Sequence, residues 1–547
     1  MTPRREWLVA LAIAFVALAL AQIPYALGYA FARPGFQFTG ILMNPEDAQS
    51  YFAKMLQGFD GAWLYTIPFT TEDHAPAFLG GFYLLLGHLA RVLGLSLETM
   101  WHAARVVCDL GLFLATFDFI ARFTRDPSTA LRTRALWTAY LLALFGSGLG
   151  WILFLLNQPY WLDWFPVDFK MPEAHLFFTA LTFPHSAFGT TMLLVSLGAV
   201  ERALTRASWR AALTASIANL ALAIAYPFLI YLVIATTALY WLMLAARARR
   251  ILWREALLAA LTWFAALPLL VYYAFTLATN PVMRAWDAQA ITLSPPLPHY
   301  LLAFGVMLLL ALLTARRHSD FTLLWAWLIA AALLVYAPLN PQRRFVQGAH
   351  IPLAILATVG WLEIVLPRLT RTRAFQSLSA RPNYSVAGLE RLLTIFFLGA
   401  MSVSNVYVLA STALTATIEQ PYPLFRPRGD ADAIAWLRAN TTRDQVVLGT
   451  YEAGNYVAAR AGNRVVVGHW AETLDWQTKF DATEKFFGAA DDDWRRDFLA
   501  RYRVEYVWVN SVDRQRNGFE PRARGFLRSV YRNDGGTEIF AAELLGR

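Results

Sequence analysis

Apolar runs of about 20 residues, each long enough to span a hydrocarbon core of roughly 30 Å as a helix, recur from residue 7 to residue 414, and no other feature restricts the fold so severely. Buried helices of soluble proteins are shorter and carry a polar stripe. Within lipid the backbone has to satisfy its own hydrogen bonds, so the expected fold is an α-helical polytopic membrane protein. Composition agrees, since only 16% of the 547 residues are charged, against about a quarter in soluble domains.

The expected crossings are 7–30, 101–121, 134–156, 180–201, 211–227, 228–246, 255–277, 297–315, 321–338, 346–366 and 392–414. The net charge of +9 is not a nucleic-acid signal, because the basic residues lie in short loops between apolar segments. The lipid membrane is the expected partner and nucleic acid is not. The first 30 residues read as an uncleaved anchor rather than a cleaved signal peptide, since the apolar character continues to Ala30. Cys108 is the only cysteine, so no internal disulfide is available.

Parity orders the crossings. Arg4 and Arg5 mark the cytoplasmic side, and so do five later loops. These carry Arg122, Arg125, Arg132 and Arg134; Arg202, Arg206 and Arg210; Arg247, Arg249, Arg250 and Arg254; Arg316 and Arg317; and Arg368, Arg371, Arg373 and Arg381. One further apolar stretch, 77–95, cannot cross without placing the Arg122–Arg134 loop outside. It is expected to lie along the outer interface, where His88 and Arg91 are tolerated. Eleven crossings then put the C-terminus outside a multi-pass protein of the plasma (inner) membrane.

Two regions follow: a transmembrane domain, 1–414, with a long first exterior loop, 31–100, and an extracytoplasmic α/β domain, 415–547. The tail alternates helix-like segments such as DADAIAWLRAN with short β-branched runs, VVLGT, RVVVG and YVWVN. It ends in a hairpin pattern, two strand-like runs around a Gly-Gly turn.

Groups able to do chemistry gather in the exterior loops. Loop one holds Glu46, Asp47, Asp73 and His74. Loop two holds Asp163, Asp168, Glu173 and His175, and a later loop holds Arg343 and Arg344. Carboxylates there can take a proton, and arginines can grip a phosphate. Asp47 and Tyr51 share a face of the segment PEDAQSYFAKML, whose apolar Tyr51, Phe52, Met55 and Leu56 would press on the bilayer surface. Plainer readings remain open: Asp47 as an acid at a helix start, Arg105 and Asp109 as a mutually neutralising pair four residues apart, and Asp168 and Glu173 as a solvated loop.

The order of these parts resembles the GT-C glycosyltransferases, which include protein O-mannosyltransferases, the lipid A aminoarabinose transferase and oligosaccharyltransferase. The family's acidic motif followed by a tyrosine has a counterpart in Glu46, Asp47 and Tyr51. Its His-Pro-Pro corresponds to His74, Ala75 and Pro76 with the first proline replaced, and its Ala-Ala-Arg to the HAARVV segment carrying Arg105. In the tail, YEAGNY lacks the tryptophans and aspartate of the oligosaccharyltransferase peptide-binding motif, so that role does not transfer.

The resemblance implies an inverting transfer of a sugar from a polyprenyl-phosphate donor to a glycan, lipid or protein acceptor at the extracytoplasmic face. It makes Asp47 the general base, with Glu46 beside it. Tyr51, Asp73, His74, Arg105, Arg343 and Arg344 become substrate-binding, the arginines holding the departing phosphate. No cofactor is required, although Asp168 and Glu173 offer carboxylates for a divalent metal, Mg or Mn. Two other classes fit part of the pattern: an inactive relative serving as scaffold or sensor, and a lipid transporter or flippase. The sequence has no inverted repeat to favour the transporter.

Overall fold

The computed structural model describes residues 3–124, 129–315 and 319–543; Arg125, Arg316 and Arg317 of the expected cytoplasmic loops lie outside them. Four helices open the chain: α1 (Arg4–Ala30), α2 (Pro45–Phe59), α3 (Gly81–Leu93) and α4 (Leu97–Phe123). Proline at the first position starts α2, where the missing N–H costs no hydrogen bond. Gly80 and Gly94 bracket α3, both at positive φ (66° and 65°), a conformation without steric penalty only for glycine.

Each of the eleven expected crossings coincides with a helix or an interrupted helix. By length and apolarity alone, six helices can cross a bilayer among the described residues, or seven if a pair bent by 49°, Val386–Ala400 with Val403–Glu419, counts as one. Segment 134–156 is not continuous. Its helix ends at Phe145, and a short helix resumes at Trp151. Gly146, Gly148 and Gly150 interrupt it, and Asn405 Nδ2 donates to the freed carbonyls of Phe145 and Gly146 at 2.9 and 3.0 Å. Stretch 77–95 forms the 13-residue α3, about 20 Å long.

The chain divides into two compact units. The first comprises 1–22, 105–270 and 292–411. Its helices pack closely where small residues face one another. Pro184–Thr205 and Trp209–Ala225 lie side by side, and so do Leu297–Thr314 and His350–Gly360. A Cβ on Gly360 would sit 2.2 Å from the Leu310 carbonyl oxygen, so this crossing tolerates no side chain. Large apolar side chains such as Ile217, Leu257, Leu309, Leu333 and Phe396 are exposed, as a lipid-facing surface requires.

The second unit comprises 23–104, 271–291 and 412–547, so the long first loop and the tail share one body. Strand β1 (Phe36–Phe38) pairs antiparallel with β2 (Phe425–Pro427). A five-stranded mixed sheet follows, from β3 (Val446–Leu448), β4 (Arg464–Val465), β5 (Val504–Val509), β6 (Leu527–Arg532) and β7 (Glu538–Ala542), in the order β4-β3-β5-β7-β6. The β6–β7 hairpin is the expected one. Helix Tyr451–Arg460 packs on α2, and α2 packs on α3. Cβ atoms on Gly58 and Gly87 would fall 2.1 and 2.0 Å from carbonyl oxygens of the opposite helix, so α2 and α3 cross at backbone contact.

That packing corrects one expectation. Phe52, Met55 and Leu56 do not press on a bilayer; protein surrounds α2, and all three are at most 1% exposed. The apolar face of α2 is matched by α3 and by the tail helix, which a reading of α2 alone could not supply.

Candidate functional site

The first turn of α2 carries the acidic pair. Asn44 enters it in a left-handed conformation (φ 46°), Pro45 follows, and Glu46 and Asp47 occupy the turn whose free N–H groups favour negative charge. Each carboxylate meets a tail residue. Asp47 Oδ1 lies 3.3 Å from His469 Nε2, and the Asp47 side chain keeps 27% exposure. Glu46 accepts a hydrogen bond from the Tyr451 phenol, and Asn455 Nδ2 donates to the Glu46 carbonyl at 3.4 Å. Burial, and then the Glu46 charge, hold the Tyr451 proton far above its usual range, so the phenol stays a donor.

One turn further along α2 lies a buried charge cluster. Lys54 Nζ donates to Glu472 Oε1 at 2.8 Å and to Ser50 Oγ at 2.7 Å, and Tyr65 donates to Glu472 Oε2 at 2.6 Å. Burial alone would raise the Glu472 pKa. Lys54 and the hydrogen bonds from Lys54 and Ser50 bring it below the ordinary carboxylate range. Tyr51 stacks on Tyr83 at 4.3 Å and against Trp101.

Asp73 and His74 are held by their own surroundings. Asp73 pairs with Arg464 and Arg503, which hold its carboxyl below the usual range. His74 Nδ1 meets the Glu72 carbonyl at 2.9 Å, and its Nε2 accepts the Ile67 N–H at 3.0 Å, so both ring nitrogens have protein partners. The two residues line a cavity of about 500 Å³ with Tyr272, Phe275 and Asn280.

In the other unit, Arg105 is 1% exposed, with Nη2 donating to the Ala180 carbonyl at 3.3 Å and Nη1 to Gln22 at 3.4 Å. Arg344 donates to the Tyr226 hydroxyl at 3.1 Å and lies 3.7 Å from Glu173. Arg343 neighbours Lys170, whose ammonium is pulled down by burial and then by Arg343. Asp168 is 1% exposed and accepts from Gly150 N at 3.0 Å and Ser404 Oγ at 2.7 Å, with His175 at 3.5 Å.

Asp168 and Glu173, the carboxylates that could have been offered to a divalent metal, both meet protein groups. One carboxylate serves Gly150, Ser404 and His175, and the other faces Arg344. Among the described residues no group of three or more His, Cys, Asp or Glu side chains is placed to hold a metal. Sequence reasoning also passed over His469 and Tyr451. Each stands about 400 positions from the carboxylate it meets, and no local pattern links them.

A helical scaffold, a long first loop packed with a C-terminal α/β domain and an acidic pair on the loop's first helix make up the fold of this chain. Three solved structures share it: ArnT from Cupriavidus metallidurans in the apo state (14% identity, TM-score 0.52, covering 98% of this chain and 100% of that one) and bound to undecaprenyl phosphate (13%, 0.50, 100% and 100%), and the oligosaccharyltransferase AglB from Archaeoglobus fulgidus in complex with an inhibitory peptide and a dolichol-phosphate (14%, 0.52, 98% and 74%). No family model and no curated protein matches the sequence.

Proposed function

We propose that this chain is an inverting glycosyltransferase that moves a sugar from a polyprenyl-phosphate donor to an acceptor hydroxyl at the extracytoplasmic face. The observation that carries the reading is Asp47: a carboxylate in the first turn of α2, held by one imidazole and still partly open to the surroundings. In this reaction Asp47 takes the proton of the acceptor hydroxyl as its oxygen bonds to the anomeric carbon. The bond from that carbon to the phosphate oxygen breaks, and the polyprenyl phosphate leaves with the electron pair. Arg343 and Arg344 hold the phosphate and stabilise the charge it gains. ArnT bound to undecaprenyl phosphate and AglB bound to a dolichol-phosphate support a lipid phosphate as the carrier.

The test is release of polyprenyl phosphate from a labelled lipid-linked sugar by membranes containing the protein. Asp47→Asn, which keeps the side chain's shape, is expected to cut transfer by about a hundredfold or more with folding intact. A loss of only a few-fold would make Asp47 a helix-start acid and not a base. Arg344→Ala is expected to weaken donor binding by about 1.5–3 kcal/mol, the range for a charged hydrogen bond. Unchanged donor affinity would remove Arg344 from the phosphate site. A wild-type protein that releases no polyprenyl phosphate from any donor would point to the scaffold or sensor reading.

A further inference from the structure

We propose that His469 is a positioning residue for Asp47: its Nε2–H donates to the carboxylate and keeps it ionised and aimed. This role rests on the reading of Asp47 as the base. The argument starts from the opposite ring nitrogen. The backbone N–H groups of Ala471 and Glu472 both point at His469 Nδ1, each at 3.2 Å. A nitrogen that accepts hydrogen bonds carries no proton, so the proton of the neutral ring sits on Nε2. Nε2 is the atom 3.3 Å from Asp47 Oδ1, and a carboxylate is an acceptor. The separation is slightly long for N–H···O, as such contacts often are before substrate is bound.

The ring cannot swing away from this task. His469 is 4% exposed, stacks on Trp470 with the planes 19° apart, and lies against Phe69. Its turn is pinned by Thr473, whose Oγ1 accepts from the N–H groups of Gly468 and His469 at 3.2 Å and donates to the Phe69 carbonyl at 2.8 Å. A rigid turn thus presents a single N–H to one oxygen of a half-open carboxylate. Such a donor favours the ionised carboxylate and restricts its rotamers.

A merely structural histidine would be replaceable by shape, whereas a positioning histidine is replaceable by its N–H. His469→Gln keeps an N–H near the position of Nε2; His469→Phe keeps the ring and removes the donor. We expect His469→Phe to lower the transfer kcat by tenfold or more with the donor KM changed less than twofold, and His469→Gln to retain at least a third of kcat. A second readout needs no turnover. Labelling of Asp47 by a water-soluble carbodiimide, to which a protonated carboxyl gives its proton as its oxygen bonds to the central carbon, should rise at least threefold in His469→Phe and stay near the wild-type level in His469→Gln. Equal behaviour of the two variants in kcat and labelling would overturn the proposal. If the wild type transfers no sugar, the glycosyltransferase reading fails by itself, and the labelling ratio still decides whether His469 governs the Asp47 carboxylate.

Discussion

The two units bury charge in different ways. In the unit of 1–22, 105–270 and 292–411, the buried Asp168 closes a break in the backbone: Gly150 N–H and Ser404 Oγ share one of its oxygens, and His175 lies 3.5 Å from the other. In the unit of 23–104, 271–291 and 412–547, buried charges pair with each other across the sequence. Lys54 and Glu472, both buried, stand 418 positions apart, and the buried Arg460 pairs with the half-exposed Glu98 from 362 positions away. The difference follows from what each chain segment has to accomplish. Where a long apolar helix is interrupted, its freed backbone groups need polar partners, and Asp168 is one of them. A small α/β body built from three separated pieces of chain needs specific contacts to choose its register, and hydrogen-bonded ion pairs supply them.

Truncating one carboxylate in each unit sharpens that contrast. Glu472→Ala leaves the Lys54 ammonium buried and unpaired, and the local stability of α2 is expected to fall by about 3–5 kcal/mol. Hydrogen exchange along α2 checks this; protection unchanged within tenfold would show that the pair does not hold the loop to the tail.

The second change goes the other way. Burial pushes the Asp513 carboxyl up to about 7, although the Thr450 hydroxyl, its hydrogen-bond partner at 2.9 Å, opposes the shift. A folded-state pKa above the unfolded value means that this group's contribution is fully present below about pH 4 and is lost as pH rises through about 7. Asp513→Asn is therefore expected to stabilise the tail at pH 8 by up to about 4 kcal/mol, with no gain at pH 4. A pH-independent difference between variant and wild type would break this assignment.

The smallest effect is expected in the other unit. Asp168→Ala strands the Gly150 N–H and the Ser404 hydroxyl and removes the partner of His175, at a cost of about 2–3 kcal/mol, read as faster exchange at Gly150 and Leu149. A cost equal to that of Glu472→Ala would erase the distinction between the two units.

How much of this was legible beforehand depends on the range of the interaction. The helices at 184–205, 229–248, 297–314 and 350–369, where crossings were expected over 180–201, 228–246, 297–315 and 346–366, follow from uninterrupted apolar length, and the hairpin of β6 and β7 from alternation around Gly535 and Gly536. The interruption after Phe145 was written in three glycines, yet Asn405, which makes it tolerable, lies about 260 positions away. Glu46 and Asp47 stood out as an acidic pair at a helix start. The apolar face of α2 gave its direction of burial but not its partner, so a bilayer was inferred where Gly58 and Gly87 bring α3 into backbone contact.

Local pattern alone therefore determined that this chain is a bundle of apolar helices with an α/β tail and an acidic pair on its first long loop, because helix length, strand alternation and helix-start chemistry depend on neighbours a few residues apart. Tertiary structure alone decided that the loop and the tail form one body, that Asp168 meets Gly150, Ser404 and His175 while Glu173 faces Arg344, and that His469 turns its N–H to Asp47. Those outcomes rest on hydrogen bonds and ion pairs between groups hundreds of residues apart, and a buried polar group accepts whichever partner the packing delivers.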